Sequence, residues 1–370
     1  MELKQYNPLK EEKIKIHGRI SGKEPLTLFW SGSALELNTS ARNMYVNVNS
    51  DYSIFEQWIR VEINGYSTIK MPVAKGRTRL CIFHGLETDA VKNVRIIKEV
   101  QPIQRDEKSF LQIESIEADG ELYAVEDRKY KIEFIGDSIT SGEGLGGSRG
   151  LNEWQPIIFT TYKNYAVQTA TALRADYRII SQSGWGVYSS WDNNLTHTLP
   201  KVYEGVCTVL DNEVSREFGA AEENDFEAWQ PNVVVVNLGT NDMFAFTSPA
   251  WTDPETGIVY KQRLDADGKH NKEDAAKFAD AVYSFIEKIR KCNPNAYILW
   301  VYGMIGREML PYIESAVYRY IAETKDEKVG IQLLPDLKEE WEGANNHPGI
   351  PSHTAAAQTL TERLKEILSR

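Results

Sequence analysis

Four short segments of this chain carry residue types that together could perform acyl transfer. The first is Gly136-Asp137-Ser138-Ile139-Thr140, directly after the apolar run Ile132-Glu-Phe-Ile135. A glycine at the end of a strand lets the backbone turn sharply. Ser138 would then project from the carboxyl edge of a sheet, where open α/β sheets place their ligands. Such a hydroxyl is a nucleophile once a base reaches it; the plainer alternative is that Asp137 or Ser138 only caps a helix. The second segment, Ser183-Gly184-Trp185-Gly186, follows the strand-like Tyr177–Ser181. Its glycines serve either as a tight turn or as a backbone N–H donor to a developing oxyanion. Gly184 and Gly186 are both candidates for that donor. The third, Gly239-Thr240-Asn241-Asp242, follows the run Val233–Val236. Asn241 can donate a hydrogen bond without adding charge, which suits an oxyanion hole, or it can form an Asx turn. The fourth is Asn346-His347-Pro348, where the proline keeps His347 extended. His347 is the candidate general base or, alone, a surface loop histidine. His353, six residues on, ranks second because it falls inside the last helical stretch.

These residues need a scaffold, and the chain changes grammar near residues 123–130. Before that point, short alternating runs such as 13–20, 26–32, 44–50, 58–65 and 77–85 end in Gly, Ser, Asn or Asp. That pattern predicts an antiparallel sandwich or barrel over 1–125. From Tyr130 onward, strands over 130–136, 177–181, 232–238, 296–302 and 329–333 alternate with helices over 162–175, 274–291, 310–322 and 352–369. Strand–helix alternation predicts a parallel sheet covered on both faces. The expected fold is therefore a three-layer α/β/α domain over 130–370 behind an all-β domain.

Composition narrows the chemistry. Lys and Arg number 42 against 53 Asp and Glu, a formal charge of −11, which argues against a nucleic-acid partner. Three scattered cysteines (Cys81, Cys207, Cys292) form neither a CxxC pair nor a disulfide framework. No signal-peptide pattern and no long apolar run are visible, so a cytoplasmic location without membrane insertion is expected. Three motif matches are discounted. Gly142–Gly147 fits GxGxxG, but it neither comes straight off a strand nor opens a helix. Gly146–Gly150 fits GxSxG around Ser148, but within a glycine-rich loop. Asp265-Ala-Asp267-Gly268 lacks the glycine spacing and the final glutamate of a calcium loop. A His347–His353 metal pair has no third ligand nearby.

Taken in order, Ser, Gly, Asn and His at strand ends and before the last helix resemble the SGNH (GDSL-type) hydrolase superfamily, in the blocks GDSIT (136–140), SGWG (183–186), GTND (239–242) and HP (347–348). A β-rich region before such a domain resembles carbohydrate esterase family 2, where a jelly roll precedes the hydrolase. The resemblance implies a cofactor- and metal-independent deacetylase of xylan- or mannan-type saccharides, with an acetylated oligosaccharide as its partner and no determined oligomeric state. It implies Ser138 as nucleophile, His347 as base, and an oxyanion hole of Ser138 N–H, Gly184 N–H and the Asn241 amide. Members commonly carry Asp three, sometimes two, residues before the histidine. Here Ala344 and Asn345 stand there, so a Ser–His dyad oriented by a backbone carbonyl is expected. Nine tryptophans are present, five of them in predicted loops. Flat apolar faces at a polar site suit stacking on sugars, and Trp251, Trp341 and Trp185 are the candidate substrate contacts. The alternatives are an acyl-chain thioesterase or lysophospholipase, a non-catalytic carbohydrate-binding protein, and deacetylation of peptidoglycan or sialic acid.

Overall fold

The computed structural model describes residues 2–86 and 90–369. Two compact units are present: Met1–Arg128 with Trp154–Tyr162 and Gly205–Asn224, and Lys129–Glu153 with Lys163–Glu204 and Asp225–Arg370. Two segments downstream of residue 130 thus belong to the first unit.

The first unit holds two antiparallel sheets. One runs Lys4–Tyr6, Phe110–Ala118, Met44–Asp51, Gly76–Phe83, with Leu26–Thr27 also on Phe110–Ala118. The other runs Leu122–Tyr123, Ala34–Thr39, Lys92–Lys98, Gln57–Ile63, Tyr66–Val73, with Lys15–His17 on Ala34–Thr39. Alternate residues of a strand face opposite sides. In Met44–Asp51 the residues Met44, Val46 and Val48 are accordingly buried while Tyr45, Asn47 and Asn49 are less so. The apolar run 26–32 pairs only at Leu26–Thr27; beyond it Trp30 is fully buried and donates Nε1–H to the Val206 carbonyl at 2.7 Å. Among the described residues no helix occurs between 2 and 128.

The second unit has five parallel strands: β1 (Tyr130–Gly136), β2 (Ala175–Ser181), β3 (Val233–Asn237), β4 (Tyr297–Tyr302) and β5 (Val329–Leu333). Their order is β2-β1-β3-β4-β5. The helices are α1 (Ser138–Ser141), α2 (Tyr165–Ala172), α3 (Thr240–Ala245), α4 (Lys272–Cys292), α5 (Leu310–Thr324) and α6 (Ile350–Leu368), besides two short ones at Leu199–Val202 and Glu213–Glu217, the latter in the first unit. One sheet face, with Ile132, Phe134, Val233, Val235, Leu299 and Val301, packs in a core shared with α2 and α6. On the other face Trp300 meets Phe285 of α4 edge-on at 6.5 Å. The sheet is thus covered on both sides, as the apolar, unalternating strand β3 requires. Helix α2 is shorter than predicted at both ends. Asn164 caps it by accepting from Ala166 N–H, and Arg174 leaves the helix with φ +50. No helix among the described residues is long and apolar enough to cross a membrane.

Candidate active site

The strand order changes direction between β1 and β3. Ligands of open α/β sheets bind at this switch point, beyond the carboxyl ends of the strands. Ser138 follows β1 and Asn241 follows β3, which places both at that edge. Asp137 caps α1, its Oδ1 accepting from Ile139 N–H at 3.0 Å. The capping alternative therefore holds for Asp137 and leaves the Ser138 side chain available.

Ser138 Oγ lies 2.8 Å from His347 Nε2, and His347 Nδ1 lies 2.7 Å from the Asn345 carbonyl oxygen. A carbonyl only accepts, so Nδ1 carries the proton and Nε2 is the lone-pair nitrogen facing Ser138. This is the carbonyl-oriented dyad expected from Ala344 and Asn345. Asn345 and Asn346 both adopt positive φ, +52 and +55, which asparagine tolerates better than most residues and which turns the Asn345 carbonyl back toward the imidazole.

A carboxylate does stand behind the dyad. Glu143, almost fully buried, accepts from Asn345 Nδ2 at 2.7 Å and from Ser183 Oγ at 2.6 Å. Its Oε1 is 3.8 Å from His347 Nδ1, beyond hydrogen-bond range. Glu143 therefore contributes charge and holds Asn345, without bonding the imidazole. Sequence reasoning missed it because it lies 204 residues upstream of His347, inside the discounted GxGxxG match. The glycines of that match have a role of their own. Gly144 (φ +86) passes so close to the histidine loop that a side-chain carbon there would sit 2.6 Å from His347 Cβ, and its carbonyl accepts from Ala344 N–H.

Asn241 Nδ2 donates to the Trp185 carbonyl at 3.0 Å and, over 3.3 Å, to Asp137 Oδ2. Gly184 has φ +79, and its carbonyl accepts from Trp191 N–H. Gly186 instead lies against the Asp242 carboxylate. Asp242, also missed from sequence, accepts from the N–H groups of Val187, Tyr188 and Ser189 and so fixes the loop that follows Gly184. Burial, reinforced by the charges of Asp242 and Glu143, pushes Asp137 up to about 7 against its bond from Ile139. Burial likewise lifts Asp242 to about 6 despite its three N–H bonds.

His353 is fully buried on α6, its Nδ1 accepting from Tyr165 N–H at 3.1 Å. Burial, with His347 nearby, holds it down at about 3, so it is a core residue and no base. Among the described residues no group of three or more His, Cys, Asp or Glu could hold a metal ion. The candidate tryptophans differ. Trp185 is 5% exposed and stacked on His197 at 5.1 Å, so little of its ring is open to a ligand. Trp251 is half-buried with one face on Tyr260. Trp341 is half-buried beneath the Lys338 ammonium.

A serine–imidazole pair with Gly and Asn blocks, at the switch point of a five-stranded parallel sheet, defines an SGNH-type hydrolase domain. The chain belongs to the GDSL-like Lipase/Acylhydrolase family, which matches residues 134–365. It is similar to the structure of an acetyl xylan esterase, Est2A, from the rumen bacterium Butyrivibrio proteoclasticus, with 39% identity, a TM-score of 0.97 and 99% of each chain covered. It is 27% identical to the cellulase/esterase CelE of Acetivibrio thermocellus, across 96% of this chain and 39% of that protein. It is 32% identical to an acetylxylan esterase / glucomannan deacetylase of Cellvibrio japonicus, across 66% of this chain and 61% of that protein. The chain thus spans less than two thirds of the length of these two curated relatives.

Proposed function

We propose that this protein is a carbohydrate esterase that removes O-acetyl groups from plant-derived poly- or oligosaccharides of the xylan or mannan type. The observation that carries the reading is the 2.8 Å Ser138–His347 bond with its imidazole held by the Asn345 carbonyl. The acetyl xylan esterase and glucomannan deacetylase relatives support the substrate class.

In this mechanism Ser138 Oγ attacks the acetyl carbonyl carbon as His347 Nε2 takes its proton. The tetrahedral oxyanion receives the N–H groups of Ser138 and Gly184 and the Asn241 amide. The longer Asn241 bond, to Asp137 Oδ2, is the one an oxyanion would take over. Preorganised donors of this kind are worth about 10²–10³ each in kcat. His347 then protonates the departing sugar alkoxide. Water, deprotonated by the same imidazole, next attacks the acetyl-serine and releases acetate. The steps use no metal or cofactor. The imidazole must start neutral, so the rate falls toward acid pH. A cytoplasmic location is part of the proposal, in keeping with three unbridged cysteines; it would present the enzyme with imported oligosaccharides, and cell fractionation tests it.

Acetate release from acetylated xylo- and manno-oligosaccharides, resolved by position, tests the function. The wild type should release acetate and prefer acetyl over longer acyl groups in an aryl-ester series, and Ser138→Ala should lower kcat by at least about 10⁴-fold. Preference for long acyl chains would favour the lysophospholipase reading, and full activity in Ser138→Ala would remove the mechanism.

A further inference from the structure

Helix α1 is a single turn, Ser138–Ser141, and it sets both the Ser138 hydroxyl and the Ser138 N–H assigned above to the oxyanion. One turn fixes several dihedrals for very few internal bonds, so such a helix does not hold its place by itself. Its last carbonyls have no partner within the helix. All four residues are buried, where an unpaired carbonyl is costly. Gly142 N–H covers the Ser138 and Ile139 carbonyls. Asn164, which is fully buried, supplies the rest. Its Nδ2 donates to the carbonyls of Ile139 at 3.2 Å and Thr140 at 3.1 Å. Among the described residues the Thr140 carbonyl has no other hydrogen-bond donor.

The same side chain works in two directions. Its Oδ1 caps α2 by accepting from Ala166 N–H at 2.8 Å. A cap needs only an oxygen, which serine or aspartate provides as well. The amide adds donors to that oxygen, and here the donors are spent on α1. The next residue ties down the same turn. Tyr165 Oη lies 2.9 Å from Thr140 Oγ1 and accepts from Asn237 Nδ2, at the end of β3, over 3.5 Å. The Tyr165 ring stacks on His353 at 5.9 Å. His353 lies on α6, which begins three residues after His347. The start of α2 therefore touches both the nucleophile turn and the helix that follows the base.

We propose that Asn164 is a positioning residue of the reaction. Its amide holds α1 so that Ser138 Oγ stays within hydrogen-bonding distance of His347 and Ser138 N–H stays turned toward the oxyanion. Asn164 acts through Ser138 and touches no substrate. The proposal rests on Ser138 as the nucleophile and not on which saccharide carries the acetyl group.

The test compares Asn164→Ser with the wild type and with Ala170→Gly, all well below their melting temperatures. Asn164→Ser keeps an oxygen able to cap α2 and loses the amide donors. Ala170→Gly weakens α2 by helix propensity without touching α1. Two rates are read: hydrolysis of 4-nitrophenyl acetate, and labelling of Ser138 by an organophosphate. A displacement of Ser138 by a fraction of an ångström to one ångström should lower kcat and the labelling rate by about tenfold to 10²-fold in Asn164→Ser, with KM nearly kept. Ala170→Gly should melt earlier with both rates unchanged. If Asn164→Ser does not fold, Tyr165→Phe removes the phenol tie at constant shape and should slow labelling more than Ala170→Gly does. Rates in Asn164→Ser equal to those of Ala170→Gly would mean that the amide serves folding alone and would overturn the proposal, as would a loss confined to KM. A wild type that is neither labelled at Ser138 nor active on the aryl acetate would overturn the nucleophile and this proposal together. The expected losses in a wild type that releases no acetate from oligosaccharides would support the positioning role and sink only the saccharide reading.

Discussion

Both units bury carboxylates, and they treat them in opposite ways. In the first, Glu36 meets His17 at 2.7 Å, Arg128 at 3.1 Å and Arg95 at 3.5 Å, and Glu99 meets Arg60 at 3.0 Å and the hydroxyl of Thr161 at 2.7 Å. Burial alone would raise Glu36, but its bond to His17 and the charges of Arg95 and Arg128 outweigh that and hold it well below the usual carboxylate range. In the second unit Asp137 and Asp242 are as deeply buried, yet among the described residues neither is paired with Lys or Arg. They are held by N–H groups and an amide, and both are pushed upward. Paired charges in a sheet specify packing. Unpaired acids beside Ser138 and Asn241 orient neutral donors, at a cost in stability that positions with a chemical task commonly carry.

The largest expected effect lies in the sandwich. Glu36→Ala leaves the buried His17 and Arg95, and the half-buried Arg128, without their shared acceptor and should cost about 3–5 kcal/mol in denaturant unfolding. A loss under about 1 kcal/mol would mean that these ions are no better paired than the site acids. A smaller and opposite signature is expected at the site. A carboxyl raised from its ordinary 3.8 to about 7 binds more protons in the folded state. Its stabilising contribution is full below about 4 and is lost as pH rises through about 7. Asp137→Asn is neutral in both states, so the decline in Tm from pH 4 to 8 should shrink by about 2–4 °C relative to wild type. Equal slopes would show that Asp137 is ionised throughout and would erase the contrast.

Much of this was legible from residue order. The alternating runs of 44–50 and 77–85 and the apolar β3 placed strands within a residue or two, because burial on one or two faces imposes those patterns. Ser138 and Asn241 stood out because each follows a strand, and His347 because it precedes the last helix, in a fixed order. What stayed hidden depends on backbone conformation and on distant neighbours. A main-chain carbonyl as acceptor for His347 Nδ1 was expected from the resemblance, but that it is the carbonyl of Asn345, turned by two positive-φ asparagines, no side-chain motif encodes. Glu143 reaches the histidine loop across 202 residues by way of Asn345. The assignment of 154–162 and 205–224 to the first unit left no mark in composition, since Trp154 packs against Phe55 and Phe159 as any core aromatic would. Trp185 and Trp191, six residues apart, read alike in sequence; only the fold buries one and exposes the other.

The most direct measurement is covalent labelling of the nucleophile. An organophosphate that reacts only with activated serines should place one adduct per chain on Ser138, abolish ester hydrolysis in proportion, and leave His347→Ala unlabelled over the same time. An adduct on another residue, or hydrolysis that persists with Ser138 fully modified, would contradict the assignment of Ser138 and His347.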